Sequence, residues 1–277
     1  MGFEESDRLI RPDKKQLTYS SYLKVDDLVQ LQLPVADESA HDEMLFIIIH
    51  QTYELWFKQI LHELQLAPKL IEAGNLMHLL HTVKRLVTIM KTLTQQVDIL
   101  ETMPPDDFNK FRDALNPASG FQSWQFRLTE FILGSRNTNY LEFYKSQPEH
   151  RKKLEDALKH PSIWDQLIIY LRKQGFPIPE SEVTRDFSLN RETSPEVTEV
   201  LKNIYKNPNK NPELYVILEG LTDFDQQFLL WRYRHFAMVQ RMIGSLKGTG
   251  GSSGAKYLGT TMSKKFFPEL WELRDSL

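Results

Sequence analysis

The strongest constraint on the fold is an apolar stripe of helical spacing near the carboxyl end of the chain. Its members recur at intervals of four, three, four, three and four residues: Phe224, Phe228, Trp231, His235, Met238 and Met242. Such intervals place side chains on one face of an α-helix. The stripe therefore predicts a long helix whose inward face carries a histidine among core residues.

Helical periodicity continues along most of the chain, and no run alternates in the manner of a β-strand. Ser39 and Asp42 resemble a capping box at the start of a helix. Proline and glycine positions delimit the helices that follow. The predicted helices cover residues 39–66, 76–100, 105–115 and 120–133.

Long helices joined by short turns predict an all-α helical bundle, with any prosthetic group held in its core. The stretch of about 140–210 is more polar and is broken by Pro161, Pro177 and Pro179, which indicates a small helical insertion. We expect residues 1–277 to form a single domain.

Composition narrows the class of protein. The 277-residue chain has a formal net charge of −3 and no cysteine, which excludes disulfides and cysteine-bound iron–sulfur clusters. No basic field favours nucleic acid, and no apolar run approaches the ~20 residues of a membrane span. These features predict a cytoplasmic protein without nucleic-acid or membrane partners, in which a buried metal would need nitrogen, oxygen or methionine ligands.

Two histidines lie on apolar helical faces. His50 shares its face with Phe46 and Tyr53, at spacings of four and three residues, and His235 lies on the stripe described above. One could bind a metal while the other faces a substrate; the alternative is that both are hydrogen-bonded core histidines. The remaining histidines considered have polar or charged neighbours and are predicted to be on the surface: His62, His78, His81, His150 and His160.

Two further patterns could bind an anion. Phe108 and Arg112 share a helix face, and an arginine can hold a carboxylate through two parallel hydrogen bonds; the alternative is a surface salt bridge with Asp107 or Asp113. The glycine-rich stretch 248–254 can converge backbone N–H groups on an anion, or serve as a flexible linker. It lacks the spacing of a phosphate-binding loop.

Taken together, the chain closely resembles the tryptophan 2,3-dioxygenase family. The resemblance spans nearly the whole sequence and is least distinctive between about Tyr140 and Lys210. It rests on these segments, in order: LTYSSYLKVDDLV, HDEMLFIIIHQTYELWFKQILHEL, FRDALNPASGFQSWQFRLTEFILG, LWRYRHFAMVQRMIG and KGTGGSSG.

The resemblance implies an activity and a cofactor. It implies one haem b per subunit, ferrous when active, and cleavage of the indole C2–C3 bond of L-tryptophan by O₂. The product would be N-formyl-L-kynurenine, the first step of tryptophan catabolism by the kynurenine pathway. The alternatives are a related haem oxygenase that acts on a substituted indole and a non-enzymatic haem-binding protein.

The resemblance also implies residue roles. His235 would be the axial ligand of the haem iron, and His50 would occupy the catalytic position beside the indole N–H, as an orienting group rather than a compulsory base. Arg112 would hold the substrate carboxylate with help from Thr249, which can also meet the ammonium group. The other substrate-binding residues implied are Phe46, Ile47, Ile48, Ile49, Phe108 and Ser119.

The family forms homotetramers, described as dimers of dimers, and Tyr19 and Tyr22 would reach into a neighbouring subunit's pocket. Family members carry tyrosine or phenylalanine at the position of Phe108. The phenylalanine in this chain lacks the hydroxyl that could touch the carboxylate, so more of that task falls on Arg112 and Thr249.

Overall fold

The computed structural model describes residues 17–250 and 254–277. Within these ranges the chain is helical and contains no strand, which confirms the all-α class. The α-helices are α1 Tyr19–Leu23, α2 Val25–Leu28, α3 Glu43–Glu72, α4 Leu76–Leu100, α5 Pro105–Arg112, α6 Trp124–Ile132, α7 Pro148–Lys159, α8 Ile163–Lys173, α9 Glu180–Thr184, α10 Pro195–Lys206, α11 Pro212–Ile243, α12 Ala255–Gly259 and α13 Pro268–Glu272.

Three long helices, α3, α4 and α11, form the centre of the fold. The contact between α4 and α11 is the most extensive between any two elements, and α3 packs against α4. Gly220 permits a close approach of α11 to α4, because a Cβ at that position would lie 2.8 Å from Cγ1 of Val83. The apolar stripe of α11 faces this core as predicted: Phe224, Phe228, Met238 and Met242 are buried, and Trp231 and His235 are half-buried.

The start of α3 differs from the sequence prediction. Ser39 and Asp42 do not form a capping box: Asp42 precedes the helix without a side-chain cap, and Ser39 bonds to Asp37. The buried Glu43 carboxylate instead accepts the backbone N–H groups of Val35 and Ala36, at 2.8 and 3.0 Å. Glutamate therefore anchors the preceding segment onto the first turn of α3.

Two other boundaries were also predicted incorrectly. Helix α3 continues through Pro68 to Glu72 rather than ending near Leu66. The helix expected over 120–133 divides into a short 3₁₀ turn, Gly120–Gln122, and α6. Ser123 separates them because its side chain caps α6, accepting the N–H of Phe126 at 3.2 Å.

In the region 148–206, α8 and α10 pack into the same core as the long helices, with Trp164, Leu167 and Leu201 among their buried residues. Leu154 and Leu158 of α7 belong to a separate cluster. Glu269 near the carboxyl end links this region to the C-terminal segment, accepting hydrogen bonds from Trp164 Nε1 at 2.9 Å and Arg191 Nε at 3.0 Å.

The C-terminal segment is fastened to α11 by a buried carboxylate. Asp225 accepts the backbone N–H groups of Phe266 and Phe267, at 3.0 and 3.2 Å, and the indole N–H of Trp271 at 3.0 Å. Among the described residues, no helix has the length and apolar character required to cross a membrane.

Candidate active site

A cavity of about 300 Å³ lies where α3, α4, α5, α6, α11 and α12 meet. This volume is in the range of small-molecule and cofactor sites. The cavity brings together six of the predicted site residues: His50, Phe108, Arg112, Ser119, Thr249 and His235. Much of the remaining wall is apolar, formed by Tyr53, Phe57, Val97, Leu100, Phe126, Trp231, Met238, Val239, Ile243 and Leu258.

His235 reaches the cavity from α11. Its ring stacks on that of Trp231, with 5.4 Å between centroids and an interplanar angle of 12°. Burial, with a smaller effect of the nearby His50, lowers the pKa of His235 to about 4. Neither ring nitrogen is hydrogen bonded to any residue the structure describes. His235 is thus a neutral imidazole with a free lone pair on an apolar wall, a donor that fits an axial ligand of haem iron.

His50 reaches the same cavity from α3. Its Nδ1 lies 2.7 Å from the carbonyl oxygen of Phe46, and because a carbonyl only accepts, Nδ1 carries the proton. Burial lowers the pKa of His50, against the opposing effects of the Phe46 carbonyl and the Glu54 charge. In the neutral ring, Nε2 is therefore an acceptor, which suits a substrate N–H donor.

An aromatic cluster supports the His50 side of the cavity. The ring of Phe46 lies 4.0 Å from His50, 5.8 Å from Phe108 and 5.4 Å from Phe111, measured between centroids. Phe46 therefore packs behind two residues of the wall. The isoleucines between Phe46 and His50 do not line the cavity: Ile49 is buried against Met238 and Met242, Ile47 is half-buried and Ile48 is exposed.

Arg112 lies at the α5 edge of the cavity, where an Nη2 group donates a hydrogen bond to the carbonyl oxygen of Lys247. The alternative, a surface salt bridge of Arg112 with Asp107 or Asp113, does not form; Asp107 pairs with Lys110 instead. The guanidinium is therefore bonded to the protein's own backbone, and an incoming carboxylate could take the place of that carbonyl.

The first part of the glycine-rich loop docks beside Arg112. Thr249 Oγ1 donates to the carbonyl oxygen of Ala118 at 2.7 Å. Gly250 lies so close to Ser119 that a Cβ on the glycine would be 2.5 Å from the serine Cβ. Residues 248–250 thus close over the segment 117–119, while residues 251–253 of the predicted anion loop lie outside the described residues.

Tyr19 and Tyr22 do not line this cavity. Both lie on α1 and are 77% and 68% exposed, and neither α1 nor α2 contains a buried residue. The following segment exposes further apolar side chains, namely Leu28, Val29, Leu31, Leu33 and Val35. Of the five histidines predicted on the surface, four are exposed and His150 is half-buried, stacked on Trp124 at 4.8 Å.

The cavity also contains charged residues that were not predicted from the sequence: Glu54, Arg127, Glu130 and Arg232. Glu54 follows His50 by one helical turn, and Arg127 and Glu130 are three residues apart on α6. These spacings could have placed Glu54, Arg127 and Glu130 on helix faces that carry site residues. Charged residues at such spacing more often lie in solvent, however.

These features define a class of protein: an all-α bundle whose apolar cavity joins two neutral imidazoles to an arginine and a glycine-rich loop. Residues 5–174 and 190–277 match the family model described as tryptophan 2,3-dioxygenase. The chain is 46% identical over 261 residues to the tryptophan 2,3-dioxygenase of Herpetosiphon aurantiacus, covering 94% of this chain and 98% of that protein.

A tryptophan 2,3-dioxygenase of Caulobacter vibrioides is 43% identical, covering 95% of this chain and 99% of the relative. Another, of Arthrobacter sp., is 42% identical, covering 97% and 95% respectively. The chain belongs to the tryptophan 2,3-dioxygenase family.

Proposed function

We propose that the protein binds one haem b per subunit and uses O₂ to cleave the indole C2–C3 bond of L-tryptophan. Both oxygen atoms enter the product, N-formyl-L-kynurenine, so the reaction consumes no external reductant. The observation that carries the proposal is the single cavity that joins His235, His50 and Arg112. Family membership supplies the substrate and the reaction class.

His235 would hold the haem iron. Its imidazole is neutral, because burial lowers the pKa to about 4, and its ring nitrogens are unbonded within the described chain. When bound, the ferrous haem would supply the iron that binds and activates O₂. Trp231 keeps the imidazole ring in a fixed orientation through their stacked contact.

The amino-acid end of tryptophan would bind at the α5 edge of the cavity. Arg112 offers its guanidinium to the carboxylate in exchange for the Lys247 carbonyl. Thr249, which donates to Ala118, is placed to re-aim its hydroxyl at the carboxylate or the ammonium. Fixing both ends of an amino acid holds the indole in one orientation, which lowers the entropic part of the barrier.

The indole would lie against His50 and Phe108. Because Nδ1 of His50 donates to the Phe46 carbonyl, Nε2 can accept the indole N–H. This hydrogen bond orients the ring and requires no proton transfer, so His50 is a positioning residue in this account. Phe108 contributes an apolar face and no hydroxyl.

We further propose that the active form is a homotetramer arranged as a dimer of dimers, in which Tyr19 and Tyr22 complete a neighbouring subunit's site. The support is the exposed apolar side chains of residues 17–35, none of which is buried against the part of the chain that the structure describes. Mass measurement in solution should give four chains, and the double variant Tyr19→Ser, Tyr22→Ser should weaken tryptophan binding without loss of haem.

The proposal extends to the organisation of the chain. Residues 1–277 would act as one domain with 140–210 as a helical insertion, because Trp164 and Leu201 share the core of the long helices. A cytoplasmic location belongs to the same proposal, since a cysteine-free chain makes no use of an oxidising compartment.

Isotope labelling tests the reaction. The purified, haem-loaded and reduced protein is mixed with L-tryptophan and ¹⁸O₂, and the product is analysed by mass spectrometry. We expect N-formylkynurenine that carries two labelled oxygen atoms. Product with one labelled atom would indicate a monooxygenase, and the absence of product from a haem-loaded protein would indicate a haem-binding protein without this activity.

A further inference from the structure

Two buried arginines share one carboxylate at the α6 side of the cavity. Arg127 on α6 and Arg232 on α11 are 5% and 4% exposed. Arg127 Nη1 lies 2.5 Å from one oxygen of Glu130, and Arg232 Nη2 lies 3.3 Å from the other. All three residues line the cavity. The buried carboxylate of Asp225 acts on Arg232 as a second negative charge, which leaves Glu130 as the carboxylate paired with Arg127.

The hydrogen bonds of the cluster leave one arginine incompletely bonded. Arg232 is also held by the carbonyl oxygen of Lys264, at 2.5 Å from Nη1. In Arg127, Nε is buried without a partner, and Nη2 makes no hydrogen bond to any described residue. Buried donors are rarely left in this state, and charged ones least of all. Arg127 therefore has free donors at a wall of the cavity, whereas Arg136, whose Nε is also unpartnered, does not line the cavity.

The guanidinium of Arg127 is held in place by aromatic rings. Its Cζ lies 3.8 Å from the ring centroid of Tyr140 and 5.0 Å from that of Phe126. Stacking of this kind fixes the plane of a guanidinium while leaving its edge available for hydrogen bonds. A rigid, planar fork of donors is suited to a carboxylate ligand.

The other charged residues named on the cavity wall do not bond to the free donors of Arg127. Glu54 accepts a hydrogen bond from Gln125 Nε2 at 2.8 Å and forms no ion pair with Arg127 or Arg232. Arg112 lies at the α5 edge, bonded to the carbonyl oxygen of Lys247, and is the proposed binding residue for the substrate carboxylate. A ligand on the free donors of Arg127, at the α6 side, would therefore be a different group from the one that Arg112 binds.

We propose that Arg127, supported by Arg232 and Glu130, binds a propionate carboxylate of the haem. This inference rests on the proposed function. The two propionates are the anionic groups at the periphery of haem b, and a cavity that holds the iron at His235 must place its edge against the wall. Glu130 fixes both guanidinium groups, so that the free edge of Arg127 faces the ligand.

Haem dimethyl ester provides a direct probe, because esterification removes both propionate charges and leaves the porphyrin and iron unchanged. Apoprotein is titrated with haem b and with the dimethyl ester, and dissociation constants are measured by absorbance and by quenching of tryptophan fluorescence. We expect wild-type protein to prefer haem b by about tenfold or more, the effect of one charge-assisted contact. Equal affinity of wild-type protein for the two forms would overturn the inference.

The variant Arg127→Met removes the charge while retaining most of the side-chain volume. Its affinity for haem b should fall to that for the ester, and Arg127→Lys should show an intermediate preference. The matched control is Arg136→Met: Arg136 is also buried, but its guanidinium bonds the carbonyls of Ala157 and His160 outside the cavity. Arg136→Met should keep the wild-type preference.

The possible failures are distinguishable. A folded Arg127→Met protein with the wild-type preference for haem b overturns the propionate assignment alone. If Arg127→Met does not fold, an Arg127→Lys protein with an undiminished preference overturns it equally. Wild-type apoprotein that binds neither haem b nor the ester overturns the proposed function, and this inference with it.

Discussion

Closure of the loop over the cavity depends on the absence of a side chain at Gly250. A methyl group there would lie 2.5 Å from Cβ and 2.8 Å from Oγ of Ser119. Both distances are below ordinary van der Waals contact, so the variant Gly250→Ala must separate the loop from Ser119 by about an ångström. The hydrogen bond from Thr249 to Ala118 lies next to the point of separation.

Forcing one extra methyl into a close contact costs about 1–3 kcal/mol. If this cost falls on the closed, substrate-bound state, the dissociation constant of tryptophan should rise about 5- to 150-fold, at about 1.4 kcal/mol per tenfold. Haem content should stay at the wild-type level, because the clash is with Ser119 and not with the wall around His235.

The assay is a tryptophan titration of the ferrous protein, followed by its absorption spectrum, with haem content measured in parallel. Gly259→Ala is the control, since a Cβ there meets only Phe236, at an ordinary 3.7 Å. The double variant Ser119→Gly, Gly250→Ala removes the clashing atoms, so it should bind tryptophan about as well as Ser119→Gly alone. Wild-type affinity in Gly250→Ala, or a double variant that binds much more weakly than Ser119→Gly, would refute the reasoning.

Three other changes have definite expected outcomes. Arg112→Lys loses the planar fork and should weaken tryptophan binding by about tenfold or more while leaving tryptamine, which has no carboxylate, nearly unchanged in a competition assay. Asp225→Ala leaves two buried backbone N–H donors and the half-buried indole N–H of Trp271 without an acceptor and should cost about 3 kcal/mol or more in denaturant unfolding, against about 0.5 kcal/mol or less for the exposed Asp223→Ala. In the haem-free protein, the pKa of His235 is lowered from 6.5 to about 4, so the unfolded chain gains a proton that the folded one lacks. Stability should therefore fall by up to about 3 kcal/mol as the pH decreases from about 6.5 to about 4, and the decrease should be shallower in His235→Phe.

Periodicity correctly predicted the bounds of helices in which the apolar pattern is continuous from one end to the other. Helix α4 begins and ends where expected, at Leu76 and Leu100, because its apolar face is continuous. The start of α3 was wrong because the capping-box pattern of Ser39 and Asp42 competes with a stronger, non-local anchor. That anchor is Glu43, whose burial and bonds to residues 35 and 36 depend on tertiary packing.

Site residues were predictable where the sequence pattern and the family resemblance indicate the same residue. They were less predictable where only burial in the folded chain distinguishes a site residue from a surface residue. His235 stands out because a histidine interrupts an otherwise apolar stripe. Arg127 and Glu130 were missed because an arginine and a glutamate three residues apart are typical of a solvated helix face. Only the packing of α6 against α3 and α7 buries them beside the cavity.

Chemical rescue of the axial ligand tests the central claim most directly, namely that His235 holds the haem iron. The variant His235→Gly removes the imidazole and leaves a space beside Trp231 that free imidazole can enter. We predict that this variant loses the spectrum of a histidine-ligated ferrous haem and regains it on addition of imidazole, whereas His50→Gly keeps that spectrum throughout. A histidine-ligated spectrum in His235→Gly without added imidazole would contradict the account.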